Sequence, residues 1–267
     1  MKYRILRWIT EHESLSKLLL ALPFCALFSC VLALQRAEWL SYLVLNVILL
    51  LISSIFVSIA RSLCLNSTVH HFQALCDPEP TMREAERQLA TAKDDVYRML
   101  LLINYYTMQS ALGLYEKARD GLNAVNLDQS PTAPPYLKFV YYNNLSSVYD
   151  NLGQNEDAER HYQTAAQLYR TLKPKYQKAF RISMDLLHAQ ACIRNRTDLD
   201  RALQLLDRMS ATNENQRVCR AFTRAQVLLL KNEPEQARVH LNYVIDHGNK
   251  LALVPEAREL LKGTEQP

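Results

Sequence analysis

The sequence predicts an all-α protein in two parts, an N-terminal transmembrane helical hairpin followed by an α-solenoid of stacked helix pairs, and three observations carry that reading. Glycine is scarce, at 5 of 267 residues, while Leu, Ala, Arg, Glu and Gln are plentiful, and these side chains lose little rotamer freedom in a helix. Two uncharged apolar stretches, 18–35 and 39–60, stand near the N-terminus. Beyond them a turn, an acidic first helical turn, an alanine and a large apolar residue recur in that order four times. A composition of 49% hydrophobic and 22% charged residues excludes a chain that is disordered in bulk and supports a sizeable core.

The first element is a basic segment, residues 1–17, in which Lys2, Arg4, Arg7 and Lys17 outnumber Glu11 and Glu13. Next come LLLALPFCALFSCVLALQ (18–35) and WLSYLVLNVILLLISSIFVSIA (39–60). Roughly 20 apolar residues at 1.5 Å rise cross a hydrocarbon core of about 30 Å, so each stretch can span a bilayer as a helix. A helix is also the form that bonds every peptide group within its own segment. Pro23 falls near the start of the first span, where a missing N–H costs little. Asn46, Ser53, Ser54 and Ser58 give the second span polar and small atoms suited to packing on a neighbour. Only Gln35-Arg36-Ala37-Glu38 separates the two spans, which demands an antiparallel hairpin with both ends on one side. Lys2, Arg4, Arg7, Lys17 and Arg61 on that side, against Arg36 on the other, place the N-terminus and the long C-terminal region in the cytoplasm, with Trp39 and Tyr42 as anchors at the outer interface. A cleaved signal peptide is the competing reading, but Val31-Leu32-Ala33-Leu34-Gln35 puts bulky residues where cleavage needs small ones. Under the hairpin reading the sequons at Asn66, Asn144 and Asn195 are chance matches.

Residues 61–80 read as a juxtamembrane linker ending in Asp77-Pro78-Glu79-Pro80, through which no helix runs. The solenoid occupies 81–267, with a capping-type start at Thr81 and one helix-forming run, 82–113, leading to the first turn. Aligning LGLYEKARDGLNAV, LGQNEDAERHYQTA, RTDLDRALQLLDRM and KNEPEQARVHLNYV puts Ala118, Ala158, Ala202 and Ala237 in register. Four residues on stand Leu122, Tyr162, Leu206 and Leu241, and three further stand Val125, Ala165, Met209 and Val244. The alanine lets two helices approach closely, and the two later positions lie on the same face and fill the space between them. The alanines are 40, 44 and 35 residues apart, within the range of helical-pair solenoids. Around 169–178 the helices read as longer than a minimal repeat. The run 255–263 opens on Pro and closes on Gly, a capping helix for a stack whose units bury their apolar faces only against neighbours.

In the best copy Tyr142, Leu145, Ser146, Tyr149, Gly153, Ala158, Tyr162 and Ala165 fall where a tetratricopeptide repeat (TPR) has its large aromatic, Leu, small, Tyr, Gly, Ala, aromatic and Ala positions. Residues 81–262 resemble that family, and the whole chain resembles bacterial membrane-anchored TPR proteins. The copy around Gly113 and Ala118 has Tyr106 in place of the usual small residue, and the last two copies have Thr197 and Asn232 in place of the turn glycine. The resemblance implies that the first helix of each pair lines a concave groove for a protein or peptide partner. That groove would present Leu100, Ile103, Asn104 and Thr107, then Asn143, Asn144, Ser147 and Asp150, then Leu187 and Arg194, then Phe222 and Gln226. An asparagine there can bind an extended backbone through both its donor and its acceptor, although a locally capping side chain is the plainer reading of each. Tyr105, Tyr106, Tyr141, Tyr142 and Tyr149 read as core between helices. Ile103, Thr107, Met184 and Leu187 stand where a carboxylate clamp needs polar or basic groups, which disfavours a receptor for chaperone tails.

The remaining chemistry is sparse. Cys25, Cys30, Cys64, Cys76, Cys192 and Cys219 form no CxxC, and no Cys/His spacing suits zinc, so they read as free thiols in a reducing compartment, with Cys64 next to the membrane. No Gly-rich phosphate loop, HExxH or nucleophile elbow occurs. The pairs Asp94-Asp95 and Glu156-Asp157 suit helix starts, where they favour the dipole. A net charge of +4 leaves no nucleic-acid footprint. The sequence therefore predicts a cofactor-free, non-enzymatic adaptor that touches the lipid bilayer through 18–60 and a protein partner through its solenoid. The second reading is a ligand- or peptide-responsive regulator whose solenoid changes its choice of partner.

Overall fold

A computed structural model describes residues 8–9, 13–34, 39–125, 127 and 130–264, and among these residues there is no strand. The basic positions Lys2, Arg4 and Arg7 and the connector 35–38 lie outside the described residues. The chain divides into two compact units, residues 1–68 and 69–267, each considered by itself.

The first unit holds α1 (Glu13–Leu34) and most of α2 (Trp39–Leu75). The stretch expected as a linker is helix as far as Leu75, because neither Pro nor Gly interrupts residues 61–75; the break comes at 76–78. One described helix, Tyr42–Leu75, is long and apolar enough to cross a membrane, and Leu15–Ala26 is a shorter apolar helix. α2 buries a single stripe, Leu49, Ser53, Val57, Ala60 and Cys64, and leaves Leu51, Ile55, Phe56 and Ile59 half-exposed. Its polar side chains turn back on the helix: Asn46 Nδ2 donates to the Tyr42 carbonyl (2.7 Å), Ser53 Oγ to Leu49 (2.8 Å) and Ser58 Oγ to Ser54 (3.1 Å). Each thereby satisfies its own donor without a partner elsewhere.

The second unit holds α3 (Glu79–Leu89), α4 (Asp95–Ala111), α5 (Tyr115–Val125), α6 (Pro135–Asn151), α7 (Asn155–Thr171), α8 (Pro174–Asn195), α9 (Leu199–Arg208), α10 (Glu214–Leu230), α11 (Pro234–His247) and α12 (Leu253–Gly263). They form an all-α solenoid of TPR-like pairs, α4 with α5, α6 with α7, α8 with α9 and α10 with α11, flanked by α3 against α4 and α12 against α11. The helix-forming run 82–113 is divided between two helices, the second of which opens at the acidic pair Asp94-Asp95 read as a helix start. The first ends at Leu89, and Asp94 caps the second, its carboxylate accepting from the Tyr97 amide at 2.7 Å, which satisfies one orphan donor of the new helix. Around 169–178, where the helices read as longer than a minimal repeat, α7 has 17 residues and α8 has 22, parted at Leu172 and Lys173 because Pro174 can open a helix but not continue one.

Within the pairs Ala118, Ala158, Ala202 and Ala237 are fully buried, and Leu122, Leu206 and Leu241 fill the space beside them. Ser146 Oγ donates to the Ala158 carbonyl at 2.9 Å, joining α6 to α7 where their backbones approach. Each pair reverses direction through left-handed backbone. Gly113 (φ +81°) and Gly153 (φ +68°) serve the first two; Asn232 (φ +62°) serves the fourth, and the third uses Arg196 (φ +51°) and Asp198 (φ +50°) on either side of Thr197.

The array also closes on itself. The Ala252 amide donates to the Ala111 carbonyl (2.8 Å), the Tyr115 hydroxyl to Glu256 (2.8 Å) and Asn249 Nδ2 to the Leu75 carbonyl (2.7 Å). Lys250 Nζ lies 3.1 Å from both Asp77 and Glu79. One apolar cluster joins Phe72, Cys76 and Met108 to Val218, Leu241, Val244, Leu251 and Ala257. α12 thus covers α11 and also ties the last repeat to the start of the unit.

Candidate functional site

The inner side of this array encloses a cavity of about 380 Å³. The first helix of every pair reaches it: Thr107 from α4, Asn144, Ser147 and Asp150 from α6, Arg194 from α8, Phe222 and Gln226 from α10. Seven of the residues expected in a groove, Thr107, Asn144, Ser147, Asp150, Arg194, Phe222 and Gln226, therefore line one space.

Five others do not. Leu187 is 1% exposed and packs with Phe139, Ala165 and Leu172. The reason is the length of α8: its first half is used in packing on α6 and α7, and only its second half, from Gln190 on, faces the cavity. Asn104 Nδ2 donates to the Leu100 carbonyl of its own helix at 2.9 Å, and Asn143 Nδ2 to Asn144 Oδ1 at 3.4 Å. Ile103, expected beside them, is buried in the core with Leu122 and Leu145, and Leu100 packs against that core. Sequence reasoning missed Gln190, Thr223 and the closing residues 251–253. Gln190 stands one turn before Arg194 and Thr223 follows Phe222, so helical period could have found both; no period announces a closing segment.

The lining side chains are braced across the pairs. Asn144 Nδ2 donates to Thr107 Oγ1 at 2.7 Å, linking α6 to α4, and Ser147 Oγ to Gln190 Oε1 at 3.5 Å, linking α6 to α8. The strongest charge is Arg194, whose side chain is 3% exposed; it lies 2.5 Å from Asp150 Oδ1 and also pairs with Glu159, with the Tyr162 ring centroid at 6.0 Å. Burial pushes the Asp150 carboxyl up against the pull of Arg194. Burial also pushes on Glu159, but hydrogen bonds from Arg194, Gln163 and Asn195 outweigh it and hold that carboxyl below its usual range. Two carboxylates on one guanidinium leave the cavity wall without free positive charge. Arg194 Nε and Asp150 Oδ2 are buried without a hydrogen-bond partner.

The arrangement offers amides, hydroxyls and one aromatic face, groups that can donate and accept hydrogen bonds and make an apolar contact. Among the described residues no group of three or more His, Cys, Asp and Glu could hold a metal ion. Burial pushes the Cys76 thiol up to about 11 and the Cys219 thiol up to about 12, so neither is a ready nucleophile.

Residues 82–243 match the family model described as the SusR N-terminal TPR domain. No curated protein and no solved structure matches the chain. The matched stretch contains all seven groove residues brought together in the cavity, while the closing segment that contributes 251–253 follows it.

Proposed function

The chain belongs to the family of the SusR N-terminal TPR domain, and on that premise we propose that it is a membrane-anchored adaptor that holds a segment of a partner protein in the cavity lined by Asn144, Asp150, Arg194 and Gln226. TPR architecture serves protein–protein interaction and scaffolding, and it is a non-catalytic fold. The observation that carries the proposal is convergence: the first helices of all four pairs direct polar side chains to one space. Amide groups there can meet the donors and acceptors of an extended chain, and Phe222 offers an apolar contact.

The anchor rests on the exposure of α2. Only 17% of its most apolar window is buried, whereas the core helix of a water-soluble protein hides its apolar residues against neighbours. In the full reading, 18–35 supplies a second crossing, and positive-inside asymmetry puts unit 69–267 in the cytoplasm.

A photo-reactive side chain placed at Gln226 in the full-length protein, in its native membrane, tests the adaptor. The expected result is a discrete cross-linked product that disappears when Asn144 and Gln190 are both changed to Leu. The same probe at Val239, 67% exposed on α11, should give no such product. Identical products from both positions, or none from Gln226, would end the proposal. Proteolysis of intact cells against inverted vesicles tests the topology, with cleavage of the solenoid expected only in the vesicles.

One observation favours a second reading, the ligand-responsive regulator. Because the array is joined at its ends around the cavity, a molecule bridging α4 and α10 would change the closing contacts as well as fill the space. Stabilisation by small peptides that survives only while Tyr115 and Glu256 are intact would support it.

A further inference from the structure

The turn between α7 and α8 carries a concentration of cations that has no part in the cavity. Between Glu159 and Asp185 the sequence has no Asp or Glu and six basic residues, Arg160, Arg170, Lys173, Lys175, Lys178 and Arg181. Arg160 is paired with Asp157 at 2.5 Å. The other five are exposed, and none of them is in an ion pair among the described residues. The nearest anion in effect is half-buried Asp185, which Arg181 influences through space, without an ion pair. Elsewhere in the unit exposed cations are either matched, as Arg83 is with Glu79, Arg217 with Glu214 and Lys262 with Glu259, or interspersed with acidic residues in the sequence, as Lys93, Lys117, Arg201 and Arg258 are.

The corner that carries them is braced. The Tyr169 hydroxyl donates to the Gln177 carbonyl at 2.9 Å, and Gln177 Nε2 donates back to the Tyr169 and Arg170 carbonyls at 3.2 Å each. The Tyr136 and Tyr176 rings stack at 4.9 Å, and Lys175 Nζ lies 4.7 Å from the Tyr176 centroid. Helix stability does not call for these charges. α8 has no acidic residue in its first turn, and its N-terminus is already the positive end of the helix dipole, so Lys173, Lys175 and Lys178 add like charge to it.

We propose that the α7–α8 corner is a docking surface for an acidic segment of a protein partner, apart from the cavity and independent of what the cavity holds. The eight steps from Lys173 to Arg181 cover about 12 Å along the helix, the reach of about four residues of extended chain. The patch thus matches a short run of carboxylates. A duplex or a bilayer would meet a broader cationic face, and a net charge of +4 spread over the chain does not provide one.

The test uses full-length protein in an uncharged detergent and a fluorescent peptide of alternating Glu and Gly, with its Gln–Gly counterpart as control. The Glu peptide should bind and the Gln peptide should not, and binding should weaken as salt rises from about 50 to about 500 mM. The triple variant Lys173→Gln, Lys175→Gln, Lys178→Gln should bind about tenfold more weakly with no loss of thermal stability. Neutralising Arg83, Lys231 and Lys262 instead, an equal change in net charge, should leave binding as it was. Equal weakening by the two triple variants, or no binding of the Glu peptide, overturns the proposal. Tighter capture of duplex DNA or anionic vesicles than of the peptide, lost in the first variant, overturns the assignment to a protein partner. Substitutions at Asn144 or Gln226 should leave peptide binding unchanged.

Discussion

Gly121 has no room for a methyl group. A Cβ built there would stand 2.0 Å from Cε1 of Tyr106, so the ring of α4 rests on bare backbone of α5. That contact explains why the first repeat departs from the family pattern: where other copies place a small residue on the first helix, this one has Tyr106 and puts the small residue on the second. Gly121→Ala should destabilise the unit by about 1–3 kcal/mol through overpacking, and combining it with Tyr106→Ala should recover part of the loss relative to the sum of the two changes, read from denaturant unfolding. Gly153 gives the contrasting case. Nothing lies within 4 Å of its added Cβ, yet its φ is +68°, so Gly153→Ala should cost about 1–2 kcal/mol for backbone reasons alone. The turn roles of Gly113 and Gly153 were legible in the sequence because a turn is local. The role of Gly121 was not, since its partner lies on another helix and no neighbouring residue signals it.

At the scale of elements, helix ends account for most of what the sequence left obscure. The start of α4 is fixed by the side chain of Asp94, which the sequence placed at a helix start, whereas the end of α3 at Leu89 carried no comparable signal. Asp94→Ala should cost about 1 kcal/mol, seen as lost amide-exchange protection in the first turn of α4. The pairing of α10 with α11 should respond to pH. Tyr243 donates to Glu214 at 2.6 Å, and this bond, with help from Arg217 and His247, holds the Glu214 carboxyl below its usual range against its partial burial. A carboxyl lowered on folding adds stability above its unfolded pKa and loses it as pH falls through the folded value. The melting temperature should therefore drop on acidification below about 4.5, and less steeply in Glu214→Gln. Between α6, α7 and α8 the bond is Arg194. Arg194→Met should cost about 3–5 kcal/mol because Asp150 is left buried without its counter-charge, and adding Asp150→Asn should restore part of that. Arg194 and Asp150 were legible as groove residues from helical period, but their mutual pairing requires the angle between helices, which no period encodes.

For the whole molecule, the repeat grammar gave the solenoid and its four pairs, and nothing in it indicated closure. Ala252, Asn249 and Glu256 belong to no repeating position, and the bonds they make to Ala111, Leu75 and Tyr115 follow from the accumulated rotation of the stack rather than from any one motif. In an open solenoid each repeat is supported only by its neighbours, so terminal repeats fray first. Here the shared cluster of Met108, Val244 and Leu251 couples the ends. Removing residues 249–264 should lower amide-exchange protection in α3 and α4 as strongly as in α11, and an effect confined to α11 would show that closure carries no stability. The same joint has a consequence in time. Tyr115 and Glu256 are 141 residues apart, so at about 5–20 residues per second a ribosome needs roughly seven to thirty seconds to supply the segment that completes the first repeat's surroundings. Throughout that interval Phe72 and Met108 wait without their covering residues, and the cavity cannot form until residues 251–253 have been made.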